Sequence, residues 1–197
     1  MTIRPLIRPA TPADVDAAAV TLGQAFADYP FTRHTVDSHD HGDRVRSLQR
    51  LFLAEIGMRC GRVWVSDDLA AVAVWITPSS SGLDEAFGDI ASRVVDLYGD
   101  RAEIAARADE ATAGLRPAEP VWHLATVGVA PHSQGRGLGA AVLEPGLAAA
   151  QLEGHVAYLE TSSPANVSFY ERLGFEVAGK VSLPDDGPEV WAMTCGR

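Results

Sequence analysis

The stretch Val127-Gly128-Val129-Ala130-Pro131-His132-Ser133-Gln134-Gly135-Arg136-Gly137-Leu138-Gly139 decides how this chain is read. It closes a near-continuous apolar run over 121–129, the pattern of a strand buried on both faces. A short turn at 130–133 follows, then a glycine-rich segment that leads into a helix predicted over 138–152. Glycines let the backbone come close to an anion, and the unpaired amides at a helix start donate to phosphate oxygens. Taken alone, the segment reads equally as a plain helix-start turn. Two nucleotide motifs are excluded. No Lys-Ser/Thr pair follows the glycines, and Gly135, Gly137 and Gly139 run G-x-G-x-G rather than G-x-G-x-x-G.

Working outward, residues 155–161 form the next predicted strand, so strand, glycine loop, helix and strand make a βαβ unit. A helix over 164–173 follows, with Pro164 near its first turn and Gly174 at its C′ position. Strands are expected at 175–181 and 190–194. Upstream, residues 3–8 suggest a short strand. Thr11-Pro12-Ala13-Asp14 opens a helix whose apolar face is Val15, Ala18, Ala19, Leu22 and Phe26, ending near Asp28-Tyr29-Pro30. Residues 31–41 are polar and His-rich and are read as a loop. A second helix is predicted over 44–58, strands over 62–66 and 70–77, and one or two helices over 83–113 with a break near Gly99-Asp100.

Length and composition set the frame. The 197 residues suit one well-cored domain, and 47% hydrophobic with 21% charged residues is ordinary for a globular enzyme. The longest apolar run, 69–76, is too short to cross a bilayer. The start Met1-Thr2-Ile3-Arg4-Pro5 has no secretory apolar stretch, which predicts a cytoplasmic protein. A net charge of −10 argues against a nucleic-acid partner. Cys60 and Cys195 define neither a disulfide framework nor a metal finger. His34, His39 and His41 lack the carboxylate or thiol scaffold of a metal site, so no metal is expected.

A second block follows the glycine loop at a fixed distance: Leu159-Glu160-Thr161, then Asn166, then Phe169-Tyr170-Glu171-Arg172-Leu173-Gly174-Phe175. The two blocks together resemble the paired motifs of the GNAT N-acetyltransferases, the first fitting Q/R-x-x-G-x-G/A. Segments 25–30, 32–37, 63–65, 71–75 and 124–129 are similar to the puromycin-acetylating members of that family. His123 departs from them, standing where those members carry an aromatic residue without a base.

The resemblance implies a mixed α/β fold. It would have a twisted, mostly antiparallel sheet of six or seven strands, a central parallel pair and helices on both faces. It implies acetyl-CoA as cosubstrate, with the strands ending at Val129 and Thr161 splayed around its pantetheine arm. Backbone groups of Val127 and Val129, with Gly128 between them, would meet that arm. The Val127 amide would polarise the thioester carbonyl. Gln134, Gly135, Arg136, Gly137, Leu138, Gly139 and Ala140 would hold the pyrophosphate, Asn166 would contact the cofactor, and Tyr170 would stand beside the sulfur.

Direct transfer needs a neutral amine and a protonated or stabilised leaving thiolate. Tyr170 suits the general acid; without the motif it would read as a half-buried aromatic on an amphipathic helix. The base is open between His123, Glu160 and water, and both side chains also read as structural. Tyr29, Phe31, His34, Trp64, Trp122 and Glu160 are the candidates to line the acceptor pocket, with Trp75 as a weaker aromatic neighbour. The expected activity is acetylation of a primary amine on a small molecule, with puromycin first and antibiotic inactivation as its sense. Rivals are another amine or a protein N-terminus, or a non-catalytic acyl-CoA-binding protein. The partner expected is the amine, with no membrane, in a monomer or homodimer.

Overall fold

The computed structural model describes residues 6–196. Along the chain run β1 (Ile7–Pro9), α1 (Val15–Phe26), α2 (Pro30–Thr35) and α3 (His41–Phe52). A π turn (Leu53–Gly57) then joins α3 to the short α4 (Met58–Cys60), β2 (Arg62–Ser66), β3 (Ala71–Ile76), α5 (Leu83–Tyr98) and α6 (Ala102–Ala113). The second half is β4 (Trp122–Val129), α7 (Leu138–Leu152), β5 (Ala157–Thr161), α8 (Pro164–Glu171), β6 (Glu176–Ser182) and β7 (Glu189–Cys195). Of the strand expected at 3–8, residues 3–5 lie outside the described residues.

The seven strands form one sheet in the order β1-β2-β3-β4-β5-β7-β6. Every neighbouring pair is antiparallel except β4–β5, as the resemblance implied. The largest core packs α7 and α8 on one face, through Trp75, Trp122, Leu143, Leu159 and Tyr170. The opposite face is covered by α1, with Leu22 and Leu53 against Val63, Val65, Val72 and Val74. Strand alternation sorts the two cores, since successive side chains point to opposite faces. Helix α7 lies so close to the sheet that a β-carbon on Gly146 would stand 2.4 Å from the Trp75 ring. No helix among the described residues is long and apolar enough to cross a membrane.

Local chemistry explains the ends. The Arg8 guanidinium donates to both Asp14 carboxylate oxygens at 2.8 and 2.9 Å, and the Thr11 amide donates to the same group at 2.7 Å. This bidentate clamp ties β1 to the start of α1 and holds the Asp14 carboxyl well below the usual carboxylate range.

Two expectations need correction. Residues 30–35 are helix α2, not loop. Proline disfavours helix in the residue before it but starts one well, and Tyr29 is extended while Pro30 takes the first helical position. Helix α3 begins at His41 rather than 44, because the buried His41 ring bonds to the carbonyls of Ala27 and Asp37 and anchors the first turn. The predicted break at Gly99 is present, with φ of 60°.

Candidate active site

Strands β4 and β5 pair only at Trp122↔Ala157 and His123↔Tyr158. Beyond His123 they separate, and Leu124 and residues 126–129 keep partners on β3 alone. Ala125 is a bulge: Trp75 pairs with Leu124 and Val74 with Thr126, leaving it unopposed. The split opens a single cavity of about 1250 Å³ that passes through the sheet. One end is lined by Val127, Gly128, Val129, Gln134, Gly135 and Gly137 to Ala140, together with Asn166 and Tyr170.

Backbone conformation explains the glycines of the loop. Gly135 and Gly137 have φ of 73° and 80°, in the left-handed region, and a β-carbon on either would meet open space. Conformation therefore selects glycine here, not crowding. Gly137 caps α7 without any side chain bonding to the first-turn amides. Those amides face the cavity end, an arrangement suited to an anion. Gln134 donates from Nε2 to the Val129 carbonyl at 3.2 Å, which ties the loop to the end of β4. Arg136 is exposed and its side chain lies off the cavity wall.

Tyr170, on α8, is 5% exposed and wedged between Phe169 and Phe175. Its hydroxyl makes no hydrogen bond to the described residues, and burial pushes the phenol up from its ordinary value. It stays protonated throughout the neutral range. Asn166 donates to Thr161 Oγ1 at 3.3 Å, joining α8 to the end of β5.

Beyond the split lies a polar cluster on the α1–α6 side. His123 on β4 and Tyr158 on β5 are register partners, with ring centroids 5.3 Å apart. Glu160 is two residues on, so it shares their face. It accepts the Tyr158 hydroxyl at 2.7 Å and pairs with Arg116 at 3.6 Å, while Arg116 also bonds to Asp109 at 2.6 Å. Burial first, then the Arg116 charge, lowers the His123 imidazole to about 4. The ring is therefore neutral at physiological pH and holds a proton poorly. Desolvation and the bond to Glu160 push the Tyr158 phenol up.

The acceptor-pocket candidates divide. Tyr29 and Phe31 line the cavity. The Tyr29 hydroxyl accepts from the Ser162 amide at 2.7 Å and meets Thr161 Oγ1 at 2.9 Å, stapling the α1–α2 junction to the end of β5. Trp64 and Trp122 do not line it, and neither does Trp75. They point to the α7 face, where Trp122 is fully buried and stacks on Trp64 at 6.4 Å. The Trp122 indole donates to Glu153 at 3.0 Å and lies 4.9 Å beneath Arg62. The reason is the strand period: with His123 facing the cavity, Trp122 must face away. His34 is also off the cavity, packed against Gly187 in the β6–β7 turn. His39 is exposed beside Asp40, and no group of three potential metal ligands gathers among the described residues.

Sequence reasoning missed Arg116, Tyr158 and Asp109. Tyr158 was within reach, since Tyr-x-Glu on a strand puts both side chains on one face. Arg116 and Asp109 carry no local signal; only the fold brings the end of α6 to β5.

Residues 97–177 match the family described as Acetyltransferase (GNAT) domain. A solved structure from Corynebacterium glutamicum, described as histone acetyltransferase HPA2 and related acetyltransferase, is 28% identical. It has a TM-score of 0.76 over 99% of this chain and 98% of that one. The polyamine N-acetyltransferase of Drosophila melanogaster, which forms N-acetylagmatine, is 15% identical with a TM-score of 0.61, covering 98% and 99%. The ribosomal-protein-S18-alanine N-acetyltransferase of Escherichia coli is 20% identical with a TM-score of 0.57, covering 97% and 92%. Split strands, glycine loop and fold agree with that match: residues 97–177 match a GNAT acetyltransferase domain, and the chain has the mixed α/β fold of that superfamily.

Proposed function

We propose that the protein transfers an acetyl group from acetyl-CoA directly to a primary amine of a small molecule within a ternary complex. The observation that carries this is the cavity through the β4–β5 split. It joins uncapped α7 amides, fit for a pyrophosphate, to a protonated phenol and then to a polar cluster fit for an amine. Residues 134–140 would hold the pyrophosphate, and backbone along 127–129 the pantetheine arm. The amine nitrogen forms a bond to the thioester carbonyl carbon while the carbon–sulfur bond breaks. Negative charge developing on the carbonyl oxygen meets the Val127 amide. The departing sulfur takes the proton of the Tyr170 hydroxyl. The nitrogen gives up two protons to water, one from the ammonium before attack and one once its bond to carbon has formed. Water returns one of them to the Tyr170 phenolate, so that one proton is released overall.

Glu160 receives the incoming ammonium at the inner mouth, in competition with Arg116. His123, held neutral, accepts a hydrogen bond from the amine and aims its lone pair rather than storing its proton. Puromycin is the acceptor we place first, on the sequence segments at 25–30, 32–37 and 124–129 and on the aromatic walls of Tyr29 and Phe31. We place the enzyme in the cytoplasm as a monomer or homodimer. The test is free-thiol release from acetyl-CoA across a panel of amines that includes puromycin. Release with other amines but not puromycin removes the puromycin assignment, and no release with any amine removes the transferase reading.

A further inference from the structure

The cavity extends past the polar cluster into a chamber walled by α3, the π turn and α5. The whole space measures about 1250 Å³, and this extension lies at the end away from Gln134 to Ala140. Val45, Leu48, Phe52, Ile56, Leu83 and Phe87 line the extension. Among the described residues no charged side chain does, Gln49 of α3 being the polar one there: the charged lining residues are Asp109, Arg116, Glu160 and Arg172, with neutral His123, on α6, the loop after it, β4, β5 and after α8. The wall itself is widened at the π turn, which places Leu53, Ile56 and Gly57 along the chamber. Phe87 stands at its rim, 47% exposed and 6.4 Å from the Phe52 ring.

We propose that this chamber seats an uncharged, apolar body carried by the acceptor amine. The enzyme is therefore selective for monocationic amines with a ring or alkyl chain, and against polyamines. A second ammonium or guanidinium on the acceptor would enter a largely apolar chamber where the described residues offer no carboxylate to pair it, which is costly. The two carboxylates in the cavity, Asp109 and Glu160, already share Arg116. This rests on the acetyl-transfer reading for the meaning of the amine end, and it goes beyond that reading in naming the rest of the molecule.

The same chemistry has a second possible source, a long acyl chain on the thioester, so the test has arms for both. Initial rates are measured by thiol release for 2-phenylethylamine, hexylamine and agmatine with acetyl-CoA, and for methylamine with acetyl-CoA and with hexanoyl-CoA. Expected is kcat/KM about 10- to 100-fold higher for the two apolar amines than for agmatine, the range that burial of a ring or chain supplies. Phe87→Glu should shrink that ratio at least fivefold, with unchanged secondary structure by circular dichroism as the folding check. Agmatine used as well as phenylethylamine overturns the proposal. So does hexanoyl-CoA outpacing acetyl-CoA with methylamine, which gives the chamber to the donor. If no amine is acetylated, the transferase reading falls, and calorimetry with the CoA-bound protein still judges the chamber. Saturable binding of 2-phenylethylamine but not agmatine, lost in Phe87→Glu, upholds it; any other pattern overturns it.

Discussion

Replacing Gly137 with alanine separates conformation from contact at the loop on which the cofactor assignment stands. Its φ is 80°, and a β-carbon there would touch nothing within 4 Å. Steric crowding therefore contributes nothing, and the whole effect comes from placing an L-residue in the left-handed region, at ~1–2 kcal/mol. Two responses are open to the chain. If the backbone holds, the strain appears as lost stability, a fall of roughly 2–8 °C in Tm for a domain of this size. If it relaxes, the first-turn amides of α7 swing out of line, and each hydrogen bond lost to a charged phosphate is worth ~1.5–3 kcal/mol. That second route weakens acetyl-CoA binding by about 10- to 150-fold. Asparagine tolerates the left-handed region far better than alanine. Gly137→Asn should therefore recover most of the affinity and stability lost in Gly137→Ala. Isothermal titration with CoA, beside thermal melts, reads both. An alanine variant that keeps both Tm and Kd within error of the wild type refutes the argument, because it would show that the loop neither needs this conformation nor uses it.

Tyr170→Phe should lower kcat about 100-fold while moving the KM for acetyl-CoA less than threefold, since the ring packing against Phe169 and Phe175 survives and only the proton is lost. Steady-state kinetics with a thiol reagent check it, and wild-type turnover would remove the general acid. For His123 the folded imidazole titrates at about 4 against 6.5 unfolded. The unfolded state thus binds more protons between those values, and stability should be full above pH 6.5 and fall as pH drops towards 4. His123→Gln should flatten that slope in urea melts, by an amount on the order of 3 kcal/mol at most. Asp14→Ala removes the clamp on Arg8 and the bond from the Thr11 amide, so it should cost about 1–2 kcal/mol in urea unfolding. Its kcat should stay as in the wild type, because the clamp lies off the cavity.

The sequence made the cofactor end of the site more legible than the acceptor end, for physical reasons that particular residues show. Gln134 to Gly139 is contiguous. In the proposed role its task falls to backbone amides in one loop, so the requirement is written locally as glycine spacing before a helix start. Tyr170 and Asn166 lie on one short helix, and their spacing carries over directly. The acceptor end has no such economy. His123, Tyr158 and Glu160 come from two strands that touch at only two register positions, and Arg116 arrives from the end of α6. A scatter of that kind leaves no periodic or compositional trace. The tryptophans show the opposite hazard. Large aromatic rings on strands near a motif suggest a pocket, yet the two-residue period sends Trp122 away from whichever face its neighbour His123 serves. Applying that period to β4 before choosing pocket residues would have sorted them correctly. The same rule ties Tyr158 to Glu160. Chemistry spread over several elements is thus recoverable from sequence where strand faces can be phased, and the helix that brings Arg116 has no phase to share with them.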